Sequence, residues 1–276
     1  MKIIADTPTL YSPEEGRELN LTIVPACTII GDKVYKDFED INSEEFLKLI
    51  EEGAVPTTSQ PAIGDMLDVF EESDEEALVL TIGDGLSGTY QTALGAKNSI
   101  EENEHIHVVD TKTLAGPQRY LVQKAMKLRE AGIGIERIKE ELIKCIETSV
   151  SFVIPEDFEF LKRSGRLTPI AAKLATIIKI VPVLTQTEDK KRITLFTVKR
   201  SKKKALESIM DHLEALGVNK EYFISVSHAG TPEAAANTLA RLKERFAGIH
   251  AEMFQLAPAL ITHGGPGCVV IQAIHK

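Results

Sequence analysis

The chain has 276 residues, 43% hydrophobic and 26% charged, with a formal net charge of −9. That balance describes a soluble globular protein with room for one large or two ordinary domains, and the acidic excess argues against nucleic acid as the first partner. With no Trp and 5% aromatic residues, the chain has little to stack on bases or sugars, and its core must be mainly aliphatic.

The opening run Met1-Lys2-Ile3-Ile4-Ala5-Asp6 turns acidic too soon for a signal peptide and reads as a first strand. Residues 21–30 are also strand-like. Residues 44–52 form a helical pattern, with Asn42 or Ser43 as N-cap and Gly53 just past its end. Pro61 suits the first turn of a helix running to about residue 72. Residues 77–82 are a continuous apolar run, as in a strand covered on both faces. A glycine-rich turn follows over 83–88, then a helix over 89–101, a buried strand over 106–109 and helices over 117–131 and 135–148.

The character changes near 149–155. Beyond it come a short helix with a basic turn at 161–166, an apolar segment at 171–180 and a hairpin over 183–199. A long helix over 201–216 has apolar positions at Ala205, Ile209, Leu213 and Leu216, close to a 3.6-residue period. Strand 222–226, helix 232–246, strand 250–255 and strand 268–273 close the chain. Alternating strands and helices give an α/β fold, with a boundary near residue 150. No apolar run reaches the roughly 18 residues of a membrane span. Cys27, Cys145 and Cys268 are odd in number and lack metal-ligand spacing, so they read as buried free thiols of a reducing cytoplasm.

Three polar runs have the chemistry of loops that grip an oxyanion. Thr57-Thr58-Ser59-Gln60-Pro61 precedes a helical pattern; an ordinary N-cap uses one hydroxyl, and three adjacent ones exceed that need. Ser87-Gly88-Thr89-Tyr90-Gln91 lies where a strand turns into a helix, at the sheet edge where α/β proteins bind ligands and where free N–H groups favour negative charge. A tight turn alone would also explain its glycines. Thr89 stands where a nucleophile elbow needs glycine, and no Gly-Lys-Ser/Thr follows, so neither a hydrolase elbow nor a phosphate-binding Walker loop is present. His263-Gly264-Gly265-Pro266-Gly267 puts an imidazole on a flexible glycine loop, pointing into a crevice between elements. If the three meet, they form a pocket for one carboxylate or phosphate.

The remaining histidines are scattered without HxxxH or HExxH spacing, so no metal site is expected. His228, after a strand, is either a strand-end polar residue or a second ligand residue. The run Lys199-Arg200-Ser201-Lys202-Lys203-Lys204 opens a helix with cations, where the dipole disfavours them, so an anionic partner should compensate.

Taken in order, these motifs resemble the DegV family, the fatty-acid-binding proteins that serve bacterial fatty acid kinase. The matching stretches include Pro56–Pro61, Leu86–Ala93, Val108–Lys112, Phe160–Leu167, Pro182–Thr185, Lys202–Ala205 and Thr262–Gly267, spread over the whole chain. The resemblance implies two α/β domains: residues 1–150, mainly a parallel sheet, and 151–276, a mixed sheet. One long-chain acyl group would be buried between them. It implies that Thr58, Ser59, Ser87, Gly88, Thr89 and His263 hold the carboxylate, and that Arg166, Arg200 and Lys202 lie near the mouth for kinase or phosphate.

On this reading the chain is a cytoplasmic carrier without catalysis or cofactor of its own. A separate ATP-binding kinase would convert the bound acid to acyl phosphate for phospholipid synthesis. Contact with a membrane surface would be brief, and nucleic acid would not be a partner. The rivals are a phosphotransferase or hydrolase using Ser87 and His263, and a nucleic-acid-binding module using residues 199–204. The chain departs from the family pattern in three places. Gly83-Asp84 replaces a Ser-Ser pair, putting a carboxylate that would repel the acid unless turned away or neutralised. His263-Gly264-Gly265-Pro266-Gly267 replaces HTGPG, and Pro8 enters after Asp6-Thr7. Residues 171–180 and 256–261 are candidate tunnel walls or ordinary core.

Overall fold

A computed structural model describes residues 1–72, 75–173 and 180–276. The first part runs β1 (Lys2–Asp6), a 3-10 turn Thr7–Thr9, α1 (Pro13–Glu18), β2 (Thr22–Val24), β3 (Cys27–Ile30), β4 (Lys33–Lys36), α2 (Ser43–Glu51), β5 (Thr57–Ser59), α3 (Ile63–Glu71), β6 (Ala77–Thr81), α4 (Thr89–Asn98), β7 (Ile106–Asp110), α5 (Ala115–Glu130) and α6 (Ile135–Thr148). The second runs β8 (Val150–Ile154), α7 (Phe158–Arg163), α8 (Pro169–Ala172), β9 (Val181–Gln186), β10 (Ile193–Lys199), α9 (Lys202–Ala215), β11 (Tyr222–His228), α10 (Pro232–Arg245), β12 (His250–Gln255), α11 (Pro258–Gly264) and β13 (Val269–His275).

Among the described residues the strands form three sheets. Four parallel strands take the order β2-β1-β6-β7, six mixed strands the order β10-β9-β8-β13-β11-β12, and β4-β3-β5 form a small antiparallel sheet. The α/β class with a parallel and a mixed sheet is as expected.

Side-chain alternation along the strands explains the layering. Ile4 and Val79 face α3 and α4, packing with Met66, Phe70, Ala93 and Ala96. Ile3, Ala5, Leu78 and Leu80 face the other way, onto α5 and α6. The far side of those two helices meets Phe223 and Ile274 of the six-stranded sheet. Its opposite face carries α9 and α10. Helices α5 and α6 are therefore the filling between the two large sheets. A helix in that position cannot tolerate a Cβ everywhere: one at Gly116 would stand 1.9 Å from Ser225 Oγ.

Most boundaries match the sequence patterns. Helix α2 has Asn42 as N-cap with a full capping box to Glu45, which satisfies the first helical N–H groups reciprocally. Helix α9 buries Ala205, Ile209 and Leu213, but Leu216 is exposed. Residues 21–30 are two strands in two sheets, because Pro25 cannot donate to a ladder and the chain turns there. At the change of character near 149–155 the chain enters β8, which pairs with both β13 and β9 inside the larger sheet. Cys27, Cys145 and Cys268 are all buried, and burial pushes the Cys268 thiol up to about 12.

Candidate functional site

Strand β5 pairs antiparallel with β3, with Thr58 opposite Thr28. Strand alternation turns Thr58 inward and leaves Thr57 and Ser59 exposed. The reading of this run as a helix start is thus corrected. Helix α3 begins two residues after Pro61, with Ala62 as N-cap and no side-chain cap. β-Branched Thr residues suit the extended backbone, and Thr58 is free of any capping duty.

His263 is not on a flexible loop either. It is the penultimate residue of α11, which starts at Pro258 and whose first six residues, Pro258 to Ile261 among them, are mostly buried apolar groups. The chain then leaves the helix at Gly265, where a φ of 78° and the 2.8 Å at which an added Cβ would meet the Phe160 ring both demand glycine. This places His263 Nε2 2.8 Å from Thr58 Oγ1. Burial, helped by the nearby Arg166 charge, pushes the imidazole down to about 3. At neutral pH it is therefore uncharged, with one ring nitrogen donating and the other accepting.

The third run sits where β6 turns into α4. Ser87 Oγ lies 2.9 Å from Thr89 Oγ1 and accepts from the Thr89 N–H at 3.3 Å. Gly88 is the N-cap of α4, and a Cβ there would come within 3.1 Å of the Gln60 carboxamide. Gln60 belongs to the first polar run but is absent from the residues the resemblance assigns to the carboxylate; its signal in the sequence is its place beside the three hydroxyls. Asp84 does not face the site hydroxyls. Its carboxylate receives Lys191 Nζ at 3.2 Å and Gln91 Nε2 at 3.3 Å, so it is both turned aside and neutralised.

Thr58, Ser59, Gln60, Ser87, Thr89, Arg166 and His263 line one small polar cleft. Against it lies an almost wholly apolar cavity with Leu114, Val153, Leu161 and Ile193 in its wall. The two share Ile82, Leu86, Arg166, Leu260 and His263. Arg166 is half-buried at this junction, donating from Nε to Leu86 O at 3.0 Å. Leu256 and Leu260 do line the apolar cavity. Of the 171–180 segment, Ala171 packs with Leu161, Leu167 and Leu184; residues 174–179 lie outside the described residues.

Arg200 and Lys202 line neither space. Lys202 opens α9 in an ion pair with Glu156, the anionic compensation that a cationic helix start calls for, and Glu156 packs on Gly267. His228 closes a turn: its Nδ1 accepts from the Thr231 N–H at 3.3 Å. Ser87 and His263 are bonded to Thr89 and Thr58 respectively, not to each other. Among the described residues no cluster of three His, Cys, Asp or Glu could hold a metal, and no helix is long and apolar enough to cross a membrane.

The family model described as "Uncharacterised protein, DegV family" matches residues 1–276. A DegV domain-containing protein of Listeria innocua is 30% identical over 274 residues, 97% of this chain and 95% of that protein. Among solved structures, the fatty-acid-binding DegV family protein of Thermus thermophilus superposes with a TM-score of 0.88 at 29% identity, covering 100% of this chain and 99% of that one. A DegV family protein of Ruminococcus gnavus, described with vaccenic acid, gives a TM-score of 0.88 at 25% identity, with 98% of each chain covered.

Proposed function

Since the chain belongs to the DegV family, we propose that it binds a long-chain fatty acid, with the carboxylate in the polar cleft and the acyl chain in the adjoining cavity. The observation that carries this reading is the shared wall: a cleft of hydroxyls, a neutral imidazole and one guanidinium opens onto a space with almost no polar surface. An amphiphile with one anionic head fits both halves at once. Each buried CH₂ contributes about 0.8 kcal/mol, so the acyl chain supplies most of the affinity. The head group then needs its lone pairs met, because an unpaired buried carboxylate is very costly.

Thr58, Ser87 and the N–H groups at the start of α4, with Gly88 nearest, are the donors of this reading; the Thr89 N–H is held by Ser87 Oγ and steadies it. Ser59 and Gln60 stand at the edge of the cleft. If His263 carries its proton on Nε2, it donates to Thr58, and the Thr58 hydroxyl is then free to donate to the acid. Arg166 supplies the positive charge that the neutral imidazole does not. In this proposal the chain is a carrier. A separate ATP-dependent fatty acid kinase phosphorylates the presented carboxylate in the cytoplasm, feeding phospholipid synthesis, and Arg166, Arg200 and Lys202 face that partner. The hydrogen-bond partners of Ser87 and His263 support a binding role, since no serine–histidine pair is assembled. A division into residues 1–150 and 151–276 belongs to the same reading. It rests on the parallel sheet drawing only on strands before residue 111, while the mixed sheet draws only on strands from 150 onward.

Mass spectrometry of the organic extract of the purified protein tests this. A stoichiometric fatty acid in the extract is the expected result. An empty extract, together with failure to take up added oleate or palmitate, would overturn it.

A further inference from the structure

Asp37 follows β4 and is completely buried. Its carboxylate collects three donors from three distant parts of the chain. Thr28 Oγ1 reaches Oδ1 at 3.2 Å, while Thr7 Oγ1 and the Ala259 N–H reach Oδ2 at 3.4 and 3.1 Å. The backbone is bent to deliver it there: the next residue, Phe38, has a φ of 65°, which a bulky side chain rarely adopts.

Each contact leads to the site. Thr28 is the β3 partner of Thr58. Ala259 lies in the first turn of α11, whose N-cap Ala257 has no side chain able to cap, and His263 lies at the other end of that helix. Thr7 Oγ1 in turn accepts from the Ala26 N–H at 3.0 Å, fixing the entry to β3. Burial makes this carboxylate expensive to ionise and pushes it up to about 7, so its place here needs a reason beyond packing.

We infer that Asp37 is a positioning residue for head-group binding: it clamps α11 to the β3–β5 pair and so sets the Thr58–His263 contact. The inference rests on the fatty-acid reading for its functional consequence, but the geometry it describes exists without ligand. Two measurements on the full chain separate the two. The first is the ¹⁵N resonance of the His263 ring in ligand-free protein; the second is the Kd for oleate.

Asp37→Ala should move the His263 Nε2 resonance and raise the Kd about tenfold, the scale of one buried hydrogen-bonded group lost. Asp37→Asn offers an acceptor to Ala259 and a donor to Thr28, and should restore both readouts nearly to wild type. If Asp37→Ala does not fold, Thr28→Val decides, since it removes one clamp contact at constant shape and should shift the same resonance. An unmoved resonance and unchanged Kd in whichever of these variants folds would overturn the inference. Wild-type protein that ignores oleate while the resonance still shifts would overturn the fatty-acid reading and leave the clamp standing.

Discussion

Thr58 and His263 are 205 residues apart in sequence and 2.8 Å apart in space, one on the edge strand of a small antiparallel sheet and the other at the end of a buried helix. The contact joins the first and last thirds of the chain across a polar cleft. Among the described residues neither has another side-chain hydrogen-bond partner, so each depends on the other for orientation.

That dependence predicts non-additivity. Thr58→Val should weaken oleate binding by about 1 kcal/mol, and His263→Ala by somewhat more. The double variant should fall short of the sum by about 0.5–1 kcal/mol, because the first substitution already releases the other side chain. Calorimetric titration of the four proteins checks this; strict additivity would mean that the pair does not act as a unit.

Arg166 stands between cleft and cavity and contributes to holding the imidazole neutral. Removing its charge in Arg166→Ala should raise the His263 pKa, while burial keeps it below the ordinary histidine range. Oleate affinity should fall, because the carboxylate loses its nearby cation. Arg166→Lys should retain the charge effect on His263. An NMR titration of the ring reads the first point, and an unmoved pKa in Arg166→Ala would show that burial alone sets it.

The packing of α5 against β11 gives a stability prediction. Gly116 leaves no room for a methyl group, since its Cβ would fall 1.9 Å from the hydroxyl of fully buried Ser225. Gly116→Ala should destabilise the fold by about 1–3 kcal/mol through overpacking, readable in urea unfolding. Gly116→Ala combined with Ser225→Gly should recover part of the loss. An additive double variant would place the strain elsewhere.

What could be read in the sequence follows from how strongly each segment is patterned. Helix α6 shows a full amphipathic period and was legible to the residue, and the apolar run of β6 declared a buried strand. Helix α11 was not legible: it is seven residues long and buried nearly all round, so it has no polar face to mark its period. The Thr57–Ser59 hydroxyls fit a helix cap and a strand equally well, and only pairing with β3 decides between them. Gln60 came into view through packing against Gly88, and Asp37 through contacts up to 222 residues away, which no local pattern encodes. Asp84 was visible as an anomaly, but its neutralising partner Lys191 sits on a hairpin turn far along the chain.

Asp6 and Asp37, the two buried carboxylates among the described residues, give a pH dependence whose sign is fixed by their shifts. Burial raises both Asp6 and Asp37 from 3.8 in the unfolded chain to about 7. Between those values the folded protein holds protons that the unfolded chain has released. Their contribution to stability is therefore fully present below about pH 4, declines as pH rises and is lost above about 7. His263 works in the opposite direction, its contribution being present above about 6.5 and lost toward 3. Asp37→Asn removes one carboxylate from this balance and leaves His263 in place. Compared with wild type, the variant should gain on the order of 2–3 kcal/mol of relative stability between pH 5 and pH 8. Urea unfolding of both proteins at the two pH values measures the difference. A difference near zero would mean that Asp37 titrates as an ordinary surface carboxylate, against its complete burial.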